Sequence, residues 1–380
     1  MAEMTCIEDL RRLARKRVPR MFYDYVDGGS WTEYTYRANE ADFQRLEFRQ
    51  RVAFDITWRS TSTTMVDIPV SMPVAIAPTG LTGMQHADGE ILAARAAKNF
   101  GIPFTLSTMS ICSIEAVAQA TERHPFWFQL YVTRDRTFVE DLIERARNAN
   151  CSALVVTMDL QVFGQRHKDK KNGLSIPPKP TLRNIVNMAS KPRWCLNMLR
   201  TRNRQFGNIV GHAKGVDNIS SLVEWTRDQF DPQLSWQDIA WIKQRWGGKL
   251  IVKGIQDPED ARLAVEYGAD AVIVSNHGGR QLDGAGSSIS ALPGIVEAIG
   301  HYAEVHLDGG IRSGQDVLKA IALGARGTYF GRAMLYGLGA QGERGVSTAL
   351  EIIRNELDLS MAFCGRTDIR NVDRKILLNH

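Results

Sequence analysis

The chain has 380 residues, 44% hydrophobic and 23% charged, with a formal net charge of +5; that is room for two average domains or one large α/β barrel with additions. Its five cysteines (Cys6, Cys112, Cys151, Cys195 and Cys364) form no CxxC or other short pair, and its eight histidines form no metal-ligand cluster, which argues against a disulfide frame or a metal centre. No run of about 18 apolar residues is present and the acidic start lacks a signal-peptide core, so the expectation is a soluble or membrane-surface protein.

The first 55 residues read as helical: Leu10, Leu13 and Ala14 recur at helical spacing, and Pro19 opens a second helix through Tyr23, Tyr25 and Val26 that Gly28-Gly29 stops. From about residue 70 short apolar or β-branched runs alternate with amphipathic stretches. The runs predict strands over 74–77, 104–107, 127–130, 154–157, 250–253, 271–275, 305–307 and 328–330. Helices are expected over 89–99, 114–120, 138–148, 236–246, 258–267 and 314–323. Strand–helix alternation implies a parallel sheet with right-handed crossovers. Eight strands close a (β/α)8 TIM barrel, with a doubly wound open sheet as the competitor. We read one domain: an N-terminal helical segment (1–55), the barrel (70–345), and a C-terminal helix and tail (346–380). After the fourth strand the alternation breaks for roughly 75 residues, too long for an ordinary loop, giving an insertion or lid over 170–232. Within it, Lys170 to Val216 carries ten Lys or Arg and no Asp or Glu, leaving the rest of the chain net negative.

In a barrel the chemistry sits at the carboxyl ends of the strands. Just past the predicted strands lie Pro78-Thr79-Gly80, Thr108-Met109, Tyr131, Asp159, Lys253-Gly254, Asn276-His277, Asp308-Gly309-Gly310 and Gly331-Arg332. Residues 275–283, SNHGGRQLD, put an imidazole (His277) three positions from a permanent cation (Arg280) on a glycine-containing turn. A base beside an anion clamp suits chemistry on a carboxylic acid. Gly309, Gly310 and Arg312, with Gly331 and Arg332, follow the last two strands, where such barrels hold phosphate. Lys253 closes an apolar strand and needs an anionic partner, either a reduced flavin or a neighbouring acid. Asp159 is either a partner for His277 or a turn aspartate.

These motifs, in order and spacing, resemble the FMN-dependent α-hydroxy acid dehydrogenase and oxidase family over nearly the whole chain. They run from Pro19-Arg-Met-Phe-Tyr-Asp-Tyr25 through Gln129-Leu-Tyr131, Thr157-Met-Asp159, Gly164-Gln-Arg166 and Val252-Lys-Gly254 to the His277, Asp308–Arg312 and Gly331-Arg332 motifs. The nearest likeness within it is to bacterial respiratory L-lactate dehydrogenases. The resemblance implies His277 as base with Asp159 as its partner, Tyr131 on the substrate hydroxyl, and Arg280, Tyr25 and Arg166 on its carboxylate. It implies FMN lined by Pro78, Thr79, Gly80, Ser107, Gln129, Thr157, Lys253 and Ser275, and held at its phosphate end by Asp308, Gly309, Gly310, Arg312, Gly331 and Arg332.

The activity implied is oxidation of an L-2-hydroxy acid, L-lactate to pyruvate, with electrons passed to a quinone or cytochrome. Alternatives are a peroxide-forming oxidase, a dehydrogenase for a longer acid such as mandelate, and a non-catalytic FMN- or phosphate-binding scaffold. Gly80 stands where family oxidases usually carry alanine. Met109 replaces a bulky tryptophan of short-substrate enzymes and would admit lactate or something larger. The resemblance also implies a homotetramer. In the basic segment Ile185, Val186, Met188, Trp194, Leu196, Met198 and Leu199 lie among the positive charges. That mixture suits an anionic membrane surface, placing the protein in the cytoplasm at the inner face of the cell membrane. A solvated loop over the active site is the other reading, and nucleic acid the weakest, for want of a binding module.

Overall fold

The computed structural model describes residues 3–174, 181–216 and 229–378; the parts of the expected insertion at 175–180 and 217–228, with Lys179, lie outside them. All eight predicted strands form. They are β1 (Val74–Ile76), β2 (Thr105–Ser107), β3 (Trp127–Leu130), β4 (Ala153–Thr157), β5 (Lys249–Ile255), β6 (Ala271–Val274), β7 (Glu304–Asp308) and β8 (Gly327–Phe330). Each lies parallel to its sequence neighbours from β2 to β8, and β8 pairs with β1. Between β1 and β2 a bridge from Ile76 to Phe104, with the Ile76 amide donating to the Pro103 carbonyl (2.9 Å), brings the ends together. This is the TIM barrel, not the open sheet.

Strand alternation decides what fills it. Residues of one parity, among them Val74, Leu106, Phe128, Leu154, Val252, Val272 and Leu307, face the surrounding helices. The other parity points inward, where Ala75, Trp127, Ala153, Val155, Ile251, Ile273 and Tyr329 form a second apolar cluster. Two residues further along the strands, on that inward parity, stand Ser107, Gln129, Thr157, Lys253, Ser275 and Asp308. The barrel is thus apolar in its middle and polar at its carboxyl mouth.

The opposite mouth is closed by a hairpin (Thr63–Met65 with Ile68–Val70) whose strands are too short to show a sequence period. Its Val66 amide donates to Glu304 (2.9 Å), and Met65 lies so close to Gly327 that a Cβ there would come within 2.3 Å of the methionine Cε. The helical start resolves into Ile7–Arg17, Arg20–Val26 and Tyr34–Gln44. An unforeseen helix, Ser288–Ile299, runs despite an internal Pro293.

The described insertion contains two helices, Leu182–Ala189 and Pro192–Arg200, and is tied down. The Trp194 indole donates to the Met84 carbonyl (2.9 Å) and its ring stacks on Phe22 at 5.4 Å. Asp88 accepts from Thr201 and Asn203 at 2.5 and 2.7 Å. Asn208, fully buried, accepts from the Ile114 amide and donates to Ser110, both at 2.9 Å.

Helices Arg332–Gln341 and Glu343–Phe363 cross where Gly337 faces Gly345, and a Cβ on Gly345 would lie 1.9 Å from the Gly337 carbonyl oxygen. Gly345→Ala is therefore expected to cost about 1–3 kcal/mol through overpacking. A lowered thermal midpoint would register it, and an unchanged midpoint would contradict this packing.

Candidate active site

The end of β6 leads into the turn that carries His277. After Ser275 the chain enters a left-handed run, with His277, Gly278 and Gly279 at φ of 56°, 65° and 70°. For a residue with a Cβ this costs about 1–2 kcal/mol. It lets the Ser275 hydroxyl accept from the His277 amide at 3.1 Å while the ring turns toward β4. There Nδ1 lies 2.7 Å from Oδ1 of Asp159, just past the end of β4. Burial raises the Asp159 pKa, but the charges of His277 and Lys253 and the hydrogen bond from His277 outweigh it and hold the carboxyl below the usual range. An ionised Asp159 takes the Nδ1 proton as a hydrogen bond and leaves Nε2 as the acceptor, the tautomer a general base requires.

On β5, Lys253 is 4% exposed. Its ammonium donates to Ser275 Oγ (2.8 Å) and pairs with Asp308 at 2.9 Å, while Ser275 donates to the same carboxylate at 2.8 Å. Burial opposes the charge, but Asp308 and then Asp159 more than restore it, so the lysine stays an ammonium. Lys253 thus has a neighbouring acid, Asp308, against it. Asp308 also lines the cavity while its carboxylate accepts from Lys253 and Ser275.

Arg280 approaches from the same turn as His277. Its Nη1 donates to the backbone carbonyls of Tyr25 and Gly28, and its guanidinium lies 4.5 Å from the Tyr25 ring centroid. Nη2 is buried without a hydrogen-bond partner. Burial and the nearby Arg166 push the Arg280 pKa down to about 10, which leaves it cationic at neutral pH. Arg166 sits 5.8 Å from the same ring and 3.4 Å from Asp169. Two cations share one nearby acid, so the pocket favours an added anion. Tyr131 stays a phenol, because burial and the charge of Asp159 raise its pKa far above normal.

The far end of the same cavity, about 890 Å³ in volume, is bounded by Gly309, Gly310, Arg312, Gly331 and Arg332. Gly309 and Gly310 have φ of 117° and 88°, and a Cβ on Gly310 would meet the Asn39 carbonyl oxygen at 2.0 Å. Gly331 opens the ten-residue helix Arg332–Gln341, a favourable place for an anion. Arg332 lies over the Tyr36 ring at 4.6 Å and donates to the Val26 and Gly28 carbonyls, while Arg312 pairs with Glu40 at 2.8 Å.

Tyr25, Pro78, Thr79, Gly80, Met109, Tyr131, Arg166, Lys253, His277, Arg280 and Asp308 line the same space. Ser107, Gln129, Thr157, Asp159 and Ser275 are not among its lining residues and belong to the layer under it. In that layer Gln129 Nε2 and Thr157 Oγ1 are buried without partners, so the floor offers unused polar atoms to a group resting on it.

Other cavity residues were not read from the sequence. Leu160, Phe163 and Phe230 form an apolar wall of the cavity. Phe230 meets Tyr131 edge-on at 5.7 Å and Phe163 at 4.7 Å. A β-bridge to Thr133 fixes Phe230 in place, a contact across the insertion that no local pattern announces. Asp169 carries a readable signal, three residues after Arg166 on one helical turn. Asp283 lies outside the site and instead accepts from the Thr32 and Thr35 amides at 2.9 Å, pinning the N-terminal segment.

Residues 14–379 match the family model described as FMN-dependent dehydrogenase. The L-lactate dehydrogenase of Pseudomonas syringae pv. syringae (strain B728a) is 44% identical over 371 residues, 97% of each chain. That of Caulobacter vibrioides (strain NA1000 / CB15N) is 44% identical over 370 residues, 97% of this chain and 96% of its own. Among solved structures, the monotopic membrane protein (S)-mandelate dehydrogenase superposes with a TM-score of 0.95 at 36% identity over 100% of both chains. A mandelate oxidase with (S)-4-hydroxymandelic acid superposes with 0.85 at 34% identity, covering 99% of this chain and 98% of its own.

Arg280→Met should weaken binding of a small unreactive carboxylate such as oxalate by about 100-fold, the usual consequence of removing one partner of an enclosed ionic hydrogen bond. Calorimetric titration of parent and variant reads this directly, and equal affinities would remove Arg280 from the anion clamp.

Proposed function

The chain belongs to the FMN-dependent dehydrogenase family, and from that membership we propose that it oxidises L-lactate to pyruvate, with His277 as the base. The observation that carries this reading is the buried, unpartnered Nη2 of Arg280 on the same turn as the His277–Asp159 pair. One cavity thereby offers a carboxylate site next to a proton acceptor.

The residues present fit FMN. Glycines and two arginines suit its phosphate, the polar barrel floor suits its ring edge, and the cavity has room for a substrate beside it. Pro78, Thr79, Gly80, Ser107, Gln129, Thr157, Lys253 and Ser275 would hold the ring; Asp308, Gly309, Gly310, Arg312, Gly331 and Arg332 would hold the ribityl phosphate end. When bound, FMN supplies the two-electron acceptor.

Arg280, assisted by Arg166 and Tyr25, fixes the substrate carboxylate. Tyr131 hydrogen-bonds the hydroxyl. His277 takes a proton at Nε2, and Asp159 steadies the positive charge the ring then carries. Lys253, kept charged by Asp308, places a cation under the site in advance, so that negative charge gained there is stabilised without reorganisation.

His277→Gln is expected to retain FMN yet lose the anaerobic bleaching of flavin absorbance by L-lactate. Near-normal bleaching would refute its role as base. A panel that includes (S)-mandelate identifies the preferred acid.

A second proposal concerns the surface. Leu182, Val186 and Leu199 are 78%, 62% and 71% exposed on helices that also carry Arg183, Arg193 and Arg200. No helix among the described residues is long and apolar enough to cross a membrane. Exposed leucine and valine among cations suit an anionic bilayer surface. Docking there, on the cytoplasmic face, would deliver electrons to a membrane quinone or cytochrome. The triple change Leu182→Asn, Val186→Asn and Leu199→Asn should abolish cosedimentation with phosphatidylglycerol vesicles while leaving L-lactate bleaching intact; undiminished cosedimentation would remove this reading.

A further inference from the structure

His277 holds a backbone conformation that L-residues rarely adopt, so something must over-determine it. The residue immediately before it shows what. Asn276 is 7% exposed, and its side chain meets that of Asn39, which is 2% exposed. The two amides bond reciprocally, each Nδ2 donating to the other's Oδ1 at 2.8 Å.

Almost every other polar atom of the pair is also used. Asn276 Oδ1 accepts from the Gly279 amide at 3.0 Å, and Asn276 Nδ2 donates to the Gly286 carbonyl at 3.0 Å. Asn39 Oδ1 accepts from the Ser288 amide at 3.1 Å. The bond to Gly279 spans the left-handed run and grips it from both ends. A buried amide pair with its donors and acceptors committed has one orientation, because any rotation leaves a donor or acceptor unmatched.

Asn39 belongs to the helix Tyr34–Gln44, outside the barrel and 237 residues before Asn276. Its backbone oxygen fills the space where a Cβ of Gly310 would stand, and its side chain lies beside Gly309. One residue of the N-terminal segment therefore wedges between the turn that aims the base and the turn at the phosphate end of the cavity.

We propose that Asn39 is a positioning residue for His277: through its reciprocal amide pair with Asn276 it sets the left-handed turn that aims the imidazole, and it links that turn to the glycine turn of the phosphate end. The proposal rests on the assignment of His277 as base. Asn39 itself touches neither substrate nor the reacting atoms.

The test uses the FMN-loaded protein mixed anaerobically with L-lactate in a stopped-flow spectrometer. Bleaching amplitude reports the fraction of protein that is folded and loaded; the rate constant reports alignment in that fraction. Asn39→Ala should lower the rate constant about 10- to 100-fold, as small misplacements of a catalytic group do, with full amplitude per bound flavin. Deuterium at C2 of the lactate should slow the variant at least as much as the parent. Asn39→Ala combined with Asn276→Ala should be no slower than the slower single variant, because the two amides act as one unit. FMN content and melting temperature are measured on the same samples.

If Asn39→Ala fails to retain FMN, Asn39→Ser carries the same comparison with a hydroxyl left in place. A variant that keeps FMN and bleaches within about twofold of the parental rate, or rate losses that multiply in the double variant, would overturn the proposal. A parent protein that binds FMN but is not bleached by any 2-hydroxy acid would instead remove the reading of His277 on which it depends.

Discussion

A charge enclosed away from water needs a partner, and the mouth of this barrel is organised by that requirement. Lys253 has Asp308, His277 has Asp159, Arg312 has Glu40 and Arg166 has Asp169. Arg280 has no such acid against it: it spends one nitrogen on backbone carbonyls and keeps another buried and unmatched. The imbalance makes the pocket selective. A neutral ligand leaves that nitrogen stranded, whereas a carboxylate satisfies it. The matched pairs keep the remaining charges in fixed positions while this happens.

The N-terminal segment is part of the site and not a decoration on the barrel. Tyr25 supplies the ring beneath Arg280, and the Val26 and Gly28 carbonyls hold Arg332. Asp27, between them, accepts from Arg11, Tyr23 and Tyr336 at 3.0, 3.1 and 2.6 Å. Burial works against the Asp27 charge, but hydrogen bonds from Arg11 and Tyr336 prevail, and its pKa is lowered. Its contribution to stability is therefore present above the ordinary carboxylate range and fades as pH falls through the lowered folded value. Acid would loosen the helix bearing Tyr25.

Much of this was legible in the sequence because barrel strands are short, continuous apolar runs and the reactive residues follow them at once. His277, Lys253 and Asp159 could be placed at strand ends by counting. What escaped reading lay in elements too short or too interrupted to show a period, or in contacts far apart along the chain. The closing hairpin has strands of only three residues, one containing Pro69, too short to show a period. The partner of Lys253 was ambiguous because a flavin edge and Asp308 satisfy the same electrostatic demand. Asn39 carries no local signal, since its significance lies wholly in a contact 237 residues away. Pro293 hid the helix Ser288–Ile299 by supplying a breaker signal that tertiary packing overrode.

The attachment of the insertion has a practical consequence. Asn208 sits fully buried among residues that follow β2, and a side chain at Gly207 would strike the Ser113 amide at 2.7 Å and the Ile111 carbonyl at 2.8 Å. Trp194 likewise hangs from Met84, and both Met84 and Ile111 are cavity-wall residues. Excising the segment to obtain a better-behaved protein would tear out stitches from that wall, and grafting in a homologous loop would succeed only if it brought its own stitches. Engineering for solubility belongs on the outward leucines and valines, with Trp194, Thr201, Asn203, Gly207 and Asn208 left untouched.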